Sequence, residues 1–572
     1  MGKSSSNPVK NGAPKRSAVE VLKEGSQFLR GMLADELAGP GTQVSEDGYN
    51  LLKFHGSYEQ YDRDTATARK QRGEEKEYQF MVRVRMPGGR LTAAQYLALD
   101  ELADRYGNGT LRLTTRQGIQ FHGVIKQNLK PTIAAINRTL LTTQSACGDV
   151  VRNVMTSPAP VRDPVHARLE ADARLLSSGL LPRSRAYHEI FLDGERLNEP
   201  DSEPLYGPTY LPRKFKIALG IPDDNTVDVL ANDLGFLLVF EGERLIGYNV
   251  AVGGGLGMTH NRPDTYPRLA TIIGSVGPDD LLRAATAVIG FQRDYGNRTD
   301  RKRARLKYVL DDLGVEAVRA HLARDYDLPL APALPMQPIA VPDLLGWHPQ
   351  GDGGYWLGVP VPSGRVKDED GVALRSALRR VVAEIGANPI VTPQQDLLLA
   401  DIPEARRREV DAILAASGVT RAEDLSPLQR FALACPALPT CGLALTEAER
   451  VREPIVAGLQ AALDTLGLGQ ERISLRITGC PNGCARSYAG DIGLVGRIPG
   501  HFAIYVGGDF EGTVLAQQLL NRVKQADIAQ ALTPLLVAWG HERRDGEGFG
   551  DWARRTGMEA LTSLIAPSGK AA

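Results

Sequence analysis

Four of the five cysteines crowd into fifty residues, as Cys435-x5-Cys441 and, 38 residues further on, Cys480-x3-Cys484. Thiolates gathered in this way can pair as disulfides, hold a zinc ion or ligate an iron–sulfur cluster. Five cysteines in 572 residues are too few for a disulfide framework, and no apolar export segment opens the sequence. Structural zinc favours Cys-x2-Cys or Cys-x4-Cys knuckles, which x5 and x3 fit poorly. A cubane cluster accepts varied spacings, because its four thiolates converge on four metals. The spacing therefore favours a cluster over zinc. In TGCPNGCARS, Pro481 and Gly483 make a tight loop that can aim amide N–H groups at sulfur. Cys147 stands 288 residues before Cys435 and reads as a small buried hydrophobe.

A second kind of chemistry lies in the lysines. The chain has 16 Lys against 51 Arg, and between residues 131 and 301 its only lysines are Lys214 and Lys216, in LPRKFK. A buried lysine can give up a proton where arginine stays charged. On its own, LPRKFK reads as a basic edge strand. His122 alternates with Gln120 on one strand face, and the run NRTDRKRARLK (297–307) reads by itself as a solvated helix face.

The elements that would position these groups come in two copies. Pro87-Gly-Gly-Arg90 followed by LRLTTRQGIQFHGV (111–124) matches Pro362-Ser-Gly-Arg365 followed by PIVTPQQDLLLADI (389–402), with Thr114 and Gln117 each 278 residues before Thr392 and Gln395. Asp233-Leu-Gly235 and VGGG (252–255) match Asp491-Ile-Gly493 and VGGD (506–509). The order is A-B-A′-B′ with halves of about 280 residues, a period far too long for a solenoid. It implies a pseudo-two-fold axis and a site shared by both halves. Residues 93–106 and 371–385 carry apolar residues at helical spacing, whereas KIALGI, FLLVF, IGYNVAV and FAIYVGG read as strands. The proline-rich residues 325–345 read as the linker between halves. The net charge of −1 argues against a dedicated nucleic-acid binder, and no apolar run is long enough to span a membrane. MGKSSSNPVKNGAPKRS, basic and poor in apolar residues, reads as a disordered tail to residue 20 of a cytoplasmic protein.

Together, CPALPTC…TGCPNGC, LTTRQGIQFHGV, ACGDVVRNV, YLPRKFK and GNRTDRK resemble the sulfite/nitrite reductase family, in the family's order, from about residue 50 to about 560. The resemblance implies an α+β fold, internally duplicated, with two ferredoxin-like half-domains (81–145 and 345–422) and two siroheme/cluster-binding α/β domains (146–340 and 423–565), after an N-terminal extension at 21–80. It implies a [4Fe–4S] cluster on Cys435, Cys441, Cys480 and Cys484, with Cys484 bridging to the iron of siroheme. It implies Arg83, Arg152, Lys214 and Lys216 as the anion-binding catalytic quartet, and Arg112, Arg116, Gln120, His122, Arg213, Arg305, Lys307 and Asn482 about the siroheme carboxylates. The activity implied is the six-electron reduction of sulfite to sulfide. Lys216, where nitrite-reducing relatives carry Asn, favours sulfite over nitrite. No G-x-G-x-x-G or P-loop segment is present, so electrons must come from a protein partner: ferredoxin, toward which KFHGSYEQYDRD leans, or an NADPH-oxidising flavoprotein.

Overall fold

The two Thr/Gln segments matched in sequence close the same turn. In the computed structural model, which describes residues 15–184, 186, 191–192, 195–196, 202–369 and 371–565, Gln117 and Gln395 both take left-handed backbone, φ 51° and 75°. Gln117 Oε1 accepts from Thr156 N at 3.0 Å and its amide donates to Gly88 O at 3.0 Å. Gln395 Oε1 accepts from Ala434 N at 3.2 Å and its Nε2 donates to Ser363 O at 3.4 Å. One buried amide per half thus ties a half-domain to the domain that follows it, satisfying backbone groups that would otherwise be orphaned.

Each half-domain is an antiparallel sheet with the same strand order. The first runs Ser57–Tyr61, Tyr78–Arg83, Ile119–Val124, Leu111–Leu113; the second runs Gly346–Pro349, Gly354–Val359, Leu397–Pro403, Asn388–Val391. The helical spacings give Ala93–Tyr106, capped by a Thr92/Gln95 box, and Leu374–Ile385. The sheets then trade arms. Arg365–Val366 of the second half pairs with Leu111–Arg112 of the first, and Arg90 of the first bridges to Ile390 of the second.

The other two domains repeat as well. Strand Ile217–Gly220 lies parallel to Leu234–Glu241, and Leu475–Thr478 lies parallel to Ile492–Ile498, both in one register 258 residues apart. Lys216 N donates to Asp233 Oδ2 at 2.9 Å, as Ser474 N donates to Asp491 Oδ2 at 2.8 Å. The same offset relates Asp228 to Arg486. Both are in left-handed backbone, and they pair with each other at 3.0 Å. The pseudo-two-fold axis passes between them. One apolar core fills both half-domains and the first α/β domain, and a second core, centred on Trp539, Trp552 and Phe502, fills the last domain.

Between the halves, residues 327–345 are extended and pinned to the surface they cross, through Ser275, Asn249 and Asn225. One expectation is corrected at the N-terminus. Residues 1–14 lie outside the described residues, but the expected tail does not reach residue 20. Helix Ala18–Gly25 buries Glu20 and Lys23, and Lys23 Nζ donates to Glu20 at 2.6 Å and to Leu211 O at 2.7 Å. A charged pair of opposite sign can be buried where a single charge cannot.

Candidate active site

Two neighbouring parallel strands bring the cysteines together. Ala432–Ala434 leads directly into Cys435, and Leu475–Thr478 leads through Gly479 into Cys480, with Ala434 registered against Ile477. Both cysteine pairs therefore leave the carboxyl edge of the same sheet, where α/β folds place their sites. Gly479 N donates to Cys435 Sγ at 3.3 Å and Asn482 Nδ2 to Cys480 Sγ at 3.5 Å. Gly483 holds the turn between Cys480 and Cys484 at φ 62°, and a Cβ there would come within 2.8 Å of the Tyr488 ring. Cys435 and Cys480 are buried, Cys441 is half-buried and Cys484 is exposed. Burial, then the neighbouring Cys484, pushes the Cys435 and Cys441 thiols up and Cys480 up to about 12. Such a group of sulfurs ionises together only around a compensating metal charge. Among the described residues, no three His, Cys, Asp or Glu side chains close on a single metal ion.

Cys484 has a second face. It lines a cleft with Arg116, Lys214, Lys216, Arg305 and Asn482. Lys214 and Lys216 leave the end of LPRKFK just ahead of strand Ile217–Gly220, and no hydrogen bond or ion pair to either ammonium occurs among the described residues. Burial, then Arg116 and Arg305, brings Lys216 down to about 7, with Cys484 pulling the other way. Burial, then Arg213 and Lys216, takes Lys214 well below the usual amine range. Arg116 donates to Asn232 Oδ1 at 2.9 Å and Asn153 O at 2.6 Å, and its Nε is buried with no partner. Burial, then Arg152, lowers it to about 9. Unpaired cations crowded until they resist their own charge form a seat for anions.

The remaining expected residues divide into two groups. Arg83 and Arg152 flank Tyr58 and Cys147: Arg83 donates to Cys147 Sγ at 3.1 Å and Arg152 to Tyr58 Oη at 3.5 Å and Gly148 O at 3.1 Å. With its amide oriented by its partners, Gln120 accepts from Arg83 Nε at 2.9 Å, and its other end lies 3.4 Å from His122 Nε2. Arg213 stands 3.8 Å from Asp149 with a third of its side chain exposed. The others have their charge satisfied by protein. Arg305 grips Asp233 through two bonds of 2.7 and 2.8 Å at the cleft wall. Lys307 gives all its donors to the carbonyls of Gly255, Gly257 and Tyr266. Arg112 is fully buried against Glu449 at 3.0 Å, Leu113 O and Ala434 O. His122 is buried with Nδ1 unpartnered, and burial holds it far below the ordinary histidine range, so it is neutral. Arg112, His122 and Lys307 therefore support the walls and offer no charge to the cleft.

Sequence reasoning missed Tyr58, Lys53 and Asn232. Tyr58 hydrogen-bonds Cys147, so that this cysteine, read as a small buried hydrophobe, lies between Arg83 and Arg152. Lys53 lies over the Tyr49 ring at 3.6 Å, and burial followed by Arg301 lowers it to about 8. Both Lys53 and Tyr58 sit in KFHGSYEQYDRD, so the signal was present but was read only for the electron donor.

Known proteins agree with this architecture. The nitrite and sulphite reductase 4Fe-4S domain matches residues 171–329 and 432–570, and the nitrite/sulfite reductase ferredoxin-like half domain matches 71–138 and 348–417. The sulfite reductase [NADPH] hemoprotein beta-component of Geobacillus kaustophilus is 45% identical, over 95% of this chain and 96% of its own. The sulfite reductase [ferredoxin] of Synechococcus elongatus is 43% identical, over 96% of this chain and 90% of its own. The structure of Mycobacterium tuberculosis NirA protein superposes with a TM-score of 0.77 at 25% identity, over 95% and 97% of the two chains. With doubled half-domains, doubled α/β domains and four cysteines at one sheet edge, the chain belongs to the nitrite and sulphite reductase family.

Proposed function

We propose that this chain is an assimilatory sulfite reductase hemoprotein, reducing sulfite to sulfide with six electrons. The observation that carries the reading is the double exposure of Cys484, which neighbours the three other cysteines on one side and shares a cleft with two unpaired lysines on the other. Cys435, Cys441, Cys480 and Cys484 would hold the [4Fe–4S] cluster. The unpartnered Arg116 Nε and its cationic neighbours fit the carboxylates of siroheme, which cannot be buried without such charges. The bound cofactors store and deliver the electrons; the protein supplies orientation, charge and protons.

The chain's own part follows from its side chains. Arg83, Arg152, Lys214 and Lys216 bring four cations to an anion smaller than any of them. Lys216, at about 7, is half-charged near neutrality. An arriving anion favours its ammonium form, so binding draws a proton onto Nζ beside the group that will need it. The weakening of each S–O bond then makes that proton useful. A dianion uses two lysines better than a monoanion does, which favours sulfite over nitrite.

Steady-state kinetics test the assignment: kcat/KM should be higher for sulfite than for nitrite, and the reverse order would overturn it. Relatives of both donor types are similar to this chain. We propose an electron-donor protein as partner, with ferredoxin as the donor, and turnover with reduced ferredoxin against flavoprotein plus NADPH decides between them. Among the described residues no helix is long and apolar enough to cross a membrane; the cytoplasm is the proposed location.

A further inference from the structure

The segment KFHGSYEQYDRD reaches the cysteines by a route that the internal repeat does not provide. In the second half-domain the first two strands are joined by residues 350–353; in the first, residues 62–77 intervene and form helix Arg63–Gln71. Asp62 caps that helix, its carboxylate accepting from Asp64 N at 2.8 Å. The insertion crosses to the other half and grips the loop that carries Cys441. Arg63 N donates to Pro439 O at 3.3 Å, and its Nη1 donates to Cys441 O at 3.2 Å and to Ala444 O at 2.7 Å. Beside it, Asp64 receives Arg450 at 2.6 Å. The sulfurs of Cys435 and Cys480 take neutral donors, Gly479 N and Asn482 Nδ2. Cys441 instead has a guanidinium against its own carbonyl. Burial, then Cys484, opposes the Cys441 thiolate, and Arg63 favours it.

We propose that Arg63 is a positioning residue whose charge, acting through the Cys441 loop, raises the reduction potential of the iron–sulfur cluster. The inference rests on the proposed cluster at the four cysteines. The potential of such a cluster follows its net charge, the hydrogen bonds to its sulfurs and its exposure. Taking up one electron adds one negative charge, which a fixed cation beside a ligand loop stabilises. Arg63 is held by two carbonyls and its own backbone, so its charge does not wander. It is half-buried, so water screens the effect without abolishing it. The residue comes from the first half and the ligand from the second, and only the longer connection of the first half brings them together.

Redox titration of the holoenzyme with dithionite and mediators, followed by electron paramagnetic resonance of the cluster, tests this. At the potential that half-reduces wild type, the ratio of reduced to oxidised cluster should fall about threefold or more in R63Q, which keeps a donor but no charge, and hold in R63K, which keeps both. Equal midpoints in wild type and R63Q overturn the proposal. So does an equal fall in R63Q and R63K, which would make the arginine a mere strut of the loop. Should R63Q fold poorly, R63M makes the same comparison with R63K. A wild-type protein with no reducible cluster would overturn the proposed function as well, whereas a reducible wild-type cluster with unmoved variants overturns this inference alone.

Discussion

In the proposed function, Lys216 and Cys484 divide the work of the cleft they both line, one governing charge and protons, the other the metal centres. Lys216→Asn removes a titratable cation while keeping a polar side chain. We expect kcat/KM for sulfite to fall at least tenfold, with nitrite less affected; unchanged sulfite kinetics would remove Lys216 from the mechanism. Because the lysine is lowered to about 7 by burial and by Arg116, the wild-type profile should lose sulfite affinity as pH rises and the ammonium deprotonates, and the asparagine variant should lose that limb. Cys484→Ser should cost the siroheme and cluster absorption together, read directly in the visible spectrum. At this scale the sequence was most legible for the cysteines, whose spacing disfavours zinc and whose scarcity disfavours a disulfide framework. It was least legible for Arg112 and Lys307. A motif names a residue type, but Arg112 is paired with Glu449, 337 residues away, and the donors of Lys307 are taken up by three carbonyls that no pattern announces.

Among elements, the decisive junction is the strand pair Leu111–Leu113 and Arg365–Val366, where the halves trade arms. Arg112 and Arg365 both reach Glu449, at 3.0 and 2.8 Å, and Arg112 also holds the carbonyl of Ala434, the residue before Cys435. Burial alone would raise the Glu449 carboxyl, but Arg112 and then Arg365 outweigh it and hold it at about 2. A carboxylate held below its unfolded value stabilises the fold above that value and stops doing so as pH falls through the folded one. Glu449→Gln should therefore cost about 3 kcal/mol at pH 7, with the gap closing between about pH 4.5 and pH 2 in denaturant titrations. A gap that does not change with pH would show that the pair is not ionic. The strands and helices were legible here from alternation and helical spacing. The exchange of arms was not, because an edge strand of two residues carries too little pattern to reveal its partner.

Over the whole molecule, the repeat in sequence foretold the duplicated α+β architecture, while the proline-rich linker revealed its length but not its path. At the axis, Asp228 meets Arg476 at 2.7 Å and Arg486 at 3.0 Å, all three buried. Asp228→Ala strands two guanidinium groups between the halves and should cost about 3–5 kcal/mol, read as a fall in Tm; a change under 1 kcal/mol would mean that the axis is held elsewhere. The traded arms also bear on history. Two separate copies of a single half could have met only as an arm-exchanged pair, and in such a pair every substitution lands twice. Joining them into one chain ended that constraint. The first copy could then keep its bare lysines and the second its four cysteines, so that one cleft came to need both halves and its symmetry mate needed neither set.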